Sequence, residues 1–155
     1  LYKIYDEAYN ITKNFKWTEI IVSDSYPELA ANIVITDEQK TNIKELFKTV
    51  IQPIRNHLDE SVKIDSCIRD EILNPSVGGS KTSDHLIGAA ADITSESIRN
   101  NLRDTAHEIW NLELPIRQLI YYPENKFIHI SINTDNKSDK NEFLYKKAKK
   151  YYKEL

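Results

Sequence analysis

Methionine is absent from the sequence, cysteine occurs once and glycine three times. A single cysteine, Cys67, excludes an internal disulfide framework and a cysteine-rich zinc module. No apolar run approaches the ~20 residues that a helix needs to cross a bilayer, so no membrane span is expected. Excess positive charge is missing too. Lys and Arg number 21 against 24 Asp and Glu, for a net charge of −3. Duplex nucleic acid calls for a basic footprint, so no nucleic-acid partner is expected. Leu1 to Phe15 carries Asp6 and Glu7 where a signal peptide needs an apolar stretch, so no leader is expected. The lack of Met at position 1 fits a processed or excised piece.

What is present is globular. The 155 residues are 40% apolar and 29% charged, which suits one domain. A chain of this size buries about 70% of its unfolded surface and needs no covalent staple. Residues 1–35 read as an N-terminal extension with a short apolar patch at Trp17 and Ile20–Val22. Thr36 and Gln39 have capping-box spacing. Ile43, Leu46, Phe47, Val50, Ile51, Ile54 and Leu58 then recur at helical intervals, with Pro53 expected to kink or break the helix. Val62, Ile64 and Ser66 alternate like a short strand. Arg69 to Thr82 is a long loop holding two of the glycines, and long ordered loops in compact domains often carry function.

Gly88 to Ile93 reads as a small-residue strand, followed by a helix from near Ser95 with Ile98, Leu102, Ala106, Ile109 and Trp110 buried. Ile116–Tyr122 and Lys126–Ile132 read as two strands joined by a turn at Pro123–Asn125. A final helix is expected near 141–154, burying Phe143, Leu144, Ala148, Tyr151 and Tyr152. Its seven lysines between Lys137 and Lys153 read as a solvated face rather than a grip on anionic wall polymers. The fold class is α+β, a small antiparallel or mixed sheet flanked by helices. Residues 36–132 form the expected core and 133–155 the C-terminal helix.

The chemistry concentrates in Ser83-Asp84-His85-Leu86-Ile87-Gly88-Ala89-Ala90-Ala91-Asp92. His129 lies on a later strand, on the face opposite Ile128, Ile130 and Ile132. A catalytic zinc takes three ligands from His and carboxylate and keeps one position open. His85, Asp92 and His129 supply that set if the strands converge. Spacing alone does not separate a ligand set from a surface pair. His57 and His107 lie on expected helices among polar neighbours and read as structural or surface residues.

Ser83–Asp92 resembles the Ser-x-His-x-x-Gly-x-Ala-x-Asp signature of zinc D-Ala-D-Ala carboxypeptidases. The same signature marks bacterial and phage L-Ala-D-Glu endopeptidases, and their fold cousins are the hedgehog signalling domains. The resemblance extends to Ser66-Cys67-Ile68-Arg69, Leu73-Asn74, Gly78-Gly79-Ser80, Arg117-Gln118-Leu119-Ile120 and Phe127-Ile128-His129-Ile130-Ser131. Phe15–Ile20 is similar to the leader of phage-type members, so the likeness covers roughly residues 15–132.

The resemblance implies a hedgehog/DD-peptidase-like zinc peptidase acting on peptidoglycan stem peptides, at a D-Ala-D-Ala or an L-Ala-D-Glu bond. His85, Asp92 and His129 would bind Zn²⁺. Arg69 would face the substrate carbonyl or carboxylate, its guanidinium a fixed fork of donors. Ser83 would donate to the peptide or orient the site. Gln118 would support the site or is a plain strand-surface amide. A phage or prophage source is implied, in virion or host cytoplasm, acting on the cell wall. Active members usually carry an acid three residues before the last histidine, where this chain has Lys126. A lysine is protonated near neutrality and is a poor base. Glu124 is the nearest acid and the expected catalytic base, with a solvent-exposed Asp84 as fallback. The alternative is a catalytically silent zinc-bearing module for wall binding or virion assembly. His and carboxylate ligands also accept other divalent ions.

Overall fold

The computed structural model describes residues 9–23, 25–135 and 137–155. Asp6 and Glu7, on which the leader reading rests, lie outside them. The expected N-terminal extension is not peripheral. Strands β1 (Asn10–Thr12) and β2 (Phe15–Lys16) form an antiparallel hairpin. Phe15 is fully buried and meets Phe47 edge-on with ring centroids 5.3 Å apart. Ile11, Ile20, Ala30 and Ile33 join the same core, Ala30 from the short helix α1 (Pro27–Ala31).

Helix α2 (Asp37–Leu46) starts on the expected capping box. The Gln39 amide donates to Thr36 Oγ1 at 3.2 Å and the Thr36 amide to Gln39 Oε1 at 2.9 Å. Pro53 does not end the helical run. One π-helical turn, Phe47–Ile51, leads into α3 (Gln52–Leu58), and the Gln52 amide reaches back to Phe47 O. A proline ring collides with the carbonyl four residues earlier, and a widened turn carries that carbonyl aside. The apolar stripe therefore stays continuous, and Ile43, Leu46, Phe47, Val50, Ile51 and Ile54 are all buried.

A six-stranded mixed sheet carries the rest. Its strands are β3 (Lys63–Ser66), β4 (Ala90–Thr94), β5 (Gln118–Tyr122), β6 (Phe127–Ser131), β7 (Glu142–Lys147) and β8 (Lys150–Lys153). Their order is β3-β4-β6-β5-β7-β8, and only β5 and β7 run parallel. Within the Arg69–Thr82 loop lies one helical turn, α4 (Leu73–Ser76). The single helix expected after Ser95 is two. Ser95 caps α5 (Glu96–Asn100), the chain leaves helical geometry at Asn101, and α6 (Leu102–Trp110) follows. Side chains alternate along strands, so Ile64, Ile93, Ile128, Ile130, Leu119, Tyr121 and Phe143 share one face and enter the core. The other face presents Asp92, His129 and Ile120.

The C-terminal helix is corrected. Residues 142–153 form a hairpin whose turn is Ala148–Lys149, with φ of 50° and 66°. Two left-handed residues in a two-residue loop match the right-handed twist of paired strands. Helical spacing of the apolar residues was coincidental. Phe143 and Leu144 are buried, whereas Ala148, Tyr151 and Tyr152 are exposed. Phe143 stacks on Trp110 at 5.1 Å and Tyr145 on Tyr121 at 5.6 Å, so pairing with β5 decides the segment.

Glu154 clamps this hairpin to α6. Its carboxylate accepts from Tyr121 Oη, from His107 Nε2 at 2.9 Å and from Arg103 Nε at 3.0 Å. Burial works to raise its carboxyl pKa, and the bonds from Tyr121, His107 and Arg103 outweigh burial and lower it. A carboxylate depressed in the folded state stabilises the fold above its ordinary pKa, and the contribution fades as pH falls through the folded value. Glu154→Gln is expected to cost about 2 kcal/mol in urea unfolding at pH 7. That difference should shrink steadily as the pH is lowered below 4.5, the ordinary value of the group. An unchanged difference in acid would contradict the clamp.

Candidate metal centre

Two neighbouring strands set the first two donors. Asp92 on β4 pairs in register with His129 on β6, so their side chains stand opposite each other on one face. His85 comes from the one-turn 3-10 helix Asp84–Ile87 just before β4. Gly88 ends that turn at φ +74°, a left-handed conformation that suits glycine. A Cβ on Gly88 would also lie 2.8 Å from Gln39 O. The turn is therefore seated directly on α2. Gln39 Nε2 donates to Leu86 O at 2.9 Å, and Asn42 Nδ2 to Ile87 O at 2.8 Å.

The three donor atoms lie within 4.8 Å of one another. Asp92 Oδ1 is 2.9 Å from His129 Nδ1 and 3.2 Å from His85 Nε2. His85 Nδ1 lies 2.7 Å from the Cys67 carbonyl, which only accepts, so Nδ1 carries the proton. Burial lowers the His85 pKa and outweighs the opposing pull of Asp92. A neutral His85 then aims the lone pair of Nε2 at a carboxylate oxygen. Two acceptors at 3.2 Å repel unless a cation sits between them. Burial also works to raise the Asp92 carboxyl, but its imidazole neighbours, His85 and His129, hold it well below the usual range. Two imidazoles and one ionised carboxylate are the donor chemistry of a catalytic zinc site. The residues fit the ion.

Arg69 supports this arrangement from behind. Its NH2 donates to Asp92 Oδ2 at 3.2 Å, its Nε to Ser66 Oγ at 3.2 Å and its NH1 to Asn74 Oδ1 at 3.4 Å. With Oδ2 engaged, Oδ1 is left to the histidines. Asn74, part of the family resemblance but given no role from sequence, is buried and donates to Ser80 O at 2.8 Å. A Cβ on Gly79 would lie 2.0 Å from Asn74 Oδ1, so the long loop is wrapped around this amide.

Arg69, Ser83, Gln118 and Glu124 all line one cleft of about 930 Å³ with the three donors. Ser83 Oγ accepts from the His85 amide at 3.2 Å. Gln118 Nε2 lies 3.5 Å from Glu142 Oε1. Glu124 is an exposed turn residue whose Oε1 accepts from the Ala148 amide at 3.3 Å, and it is not part of the donor cluster. Lys126 sits exposed in the same turn at φ 57°. The expectation of a solvent-exposed Asp84 is corrected. Its carboxylate is held 2.7 Å from Lys137 Nζ and 3.4 Å from Arg117 Nε, and its side chain is only 10% exposed. Flanked by two cations, it is not part of the donor cluster. Arg117 and Lys137 were missed because their partner is far away in sequence. His57 pairs with Glu108 at 3.6 Å, and His107 serves Glu154, so neither enters the site.

Gly88→Ala is expected to lower stability by more than Gly78→Ala. Both glycines have φ +74°, but a Cβ on Gly78 meets nothing within 4 Å. The left-handed penalty of about 1–2 kcal/mol is common to both, and the excess at Gly88 measures the seating on α2. Equal losses in urea unfolding would contradict that seating.

The Peptidase M15 family model matches residues 13–131. No curated protein matches the chain. The match runs from the N-terminal hairpin to the end of β6 and takes in His85, Asp92 and His129, so the chain belongs to the Peptidase M15 family.

Proposed function

We propose that the protein is a zinc-dependent hydrolase of peptidoglycan stem peptides, cutting at a D-Ala-D-Ala or an L-Ala-D-Glu bond. The observation that carries this reading is the convergence of His85 Nε2 and His129 Nδ1 on Asp92 Oδ1, at 3.2 and 2.9 Å. M15 peptidases are zinc-dependent. His85, Asp92 and His129 would hold the ion. When bound, zinc supplies a Lewis acid that acidifies water and polarises a carbonyl.

The chain's own groups do the rest. Arg69 orients Asp92 and brings a fixed positive charge to the cleft, where an oxyanion develops during acyl transfer. Ser83 and Gln118 flank the donors and offer hydrogen bonds to an extended peptide backbone. Glu124 takes the proton from the attacking water and returns it to the leaving amine. Its carboxylate must release the Ala148 amide to do so, and that bond is long enough, at 3.3 Å, to exchange with solvent.

That same bond favours a second reading. A carboxylate tied to the hairpin turn, with Lys126 at the usual base position, suits a silent zinc-bearing module for wall binding or virion assembly. Turnover separates the two.

Stoichiometric zinc is expected by elemental analysis, with Asp92→Ala and His129→Ala each weakening binding by about 100-fold or more. Retained hydrolysis in a metal-free preparation would refute the proposal. Glu124→Gln is expected to lower kcat by about 10²–10⁴ with zinc retained. Muropeptide mass spectrometry reads both. Bound zinc without any mass loss in the unaltered protein selects the silent module.

A further inference from the structure

Beyond the metal row, the cleft face of the sheet carries a second row. Strand pairing aligns Phe127 on β6, Tyr122 on β5, Lys146 on β7 and Tyr151 on β8 across four neighbouring strands. All four line the cleft that contains the donors. Tyr122 stacks flat on Phe127, with centroids 4.2 Å apart and planes 11° off parallel. Lys146 Nζ lies 5.7 Å from the Tyr122 ring centre and 5.1 Å from that of Tyr151. The hairpin that supplies Lys146 and Tyr151 lies beyond residue 131, where the family match ends.

Apart from Lys149, the other charges of the cleft are spoken for. Arg69 is on Asp92, Arg117 and Lys137 are on Asp84, and Lys140 is 3.5 Å from Glu142. Glu124 accepts from the Ala148 amide. Lys146 is half-buried between two rings, and among the described residues no carboxylate pairs with it. Lys149, the other unpaired cation of the wall, is exposed in the turn. A cation partly stripped of water and left without an anion gains more from a carboxylate than one at an open surface.

We propose that Lys146, framed by Tyr122 and Tyr151, is a specificity-determining subsite that selects D-Ala-D-Ala-terminated peptides bearing a free carboxylate away from the scissile bond. The proposal rests on the reading of the cleft as a peptidase site. Register fixes the spacing. Lys146 is two residues along and two strands across from His129, so their Cα atoms are about 12 Å apart. That is about the reach of three to four extended residues. The rings hold the ammonium in place and present flat apolar surface to the peptide beside it.

The test uses a stem pentapeptide, L-Ala-γ-D-Glu-L-Lys-D-Ala-D-Ala, and its counterpart with the glutamyl α-carboxyl amidated. The two differ by one charge. Calorimetric titration of the metal-free protein is expected to give a Kd about tenfold or more weaker for the amidated peptide. Lys146→Gln should bind both equally, with the amidated peptide bound as by the unaltered protein. In the zinc-loaded protein the same factor should appear in KM, with kcat unchanged. Discrimination that survives Lys146→Gln, or is absent from the unaltered protein, overturns the proposal. Discrimination in binding without hydrolysis defeats the peptidase reading and leaves the carboxylate subsite standing. Hydrolysis without discrimination does the reverse.

Discussion

The Nε2 of His85 and the Oδ1 of Asp92 face each other at 3.2 Å, and while His85 is neutral both are acceptors. Buried lone pairs in that arrangement are costly without a cation between them. Much of the surrounding structure serves to keep them there. The Cys67 carbonyl fixes the tautomer of His85, and Arg69 engages the far oxygen of Asp92. Gln39 and Asn42 of α2 hold the carbonyls of Leu86 and Ile87, just before the Gly88 turn. The fold supplies the position, and a metal would supply the charge that relieves the conflict.

The sheet divides the labour between its faces. One face is isoleucine-rich and buries against the helices and the N-terminal hairpin. The other carries the donors, then the row of Tyr122, Lys146 and Tyr151. Asp84 joins three separate segments across this second face, through Arg117 at the start of β5 and Lys137 in the connection to β7. The cleft walls are thus tied to the His85 turn by charge, while the floor is tied to the core by packing.

Local pattern made the donors legible. Asp92 and His129 each sit in a strand whose alternation is visible, and His85 stands in a compact signature. The Thr36–Gln39 capping box and the stripe from Ile43 to Ile54 were equally local. What escaped was non-local. Phe143 and Tyr145 read as helical until β7 pairs in parallel with β5, a partnership that no nearby spacing encodes. Lys137 meets Asp84 across 53 residues, so no nearby spacing encodes the pair that covers Asp84. Phe15 gave no hint that it would pack against Phe47. Proline usually interrupts a helix, and at Pro53 the π turn before it changes the outcome.

The most direct measurement is zinc-edge X-ray absorption on protein loaded with one equivalent of zinc. The expected spectrum shows a shell of nitrogen and oxygen donors with the scattering pattern of two imidazoles, lost from the site in Asp92→Ala. A sulfur neighbour, which only Cys67 could supply, or a spectrum unchanged by Asp92→Ala would contradict a centre built from His85, Asp92 and His129.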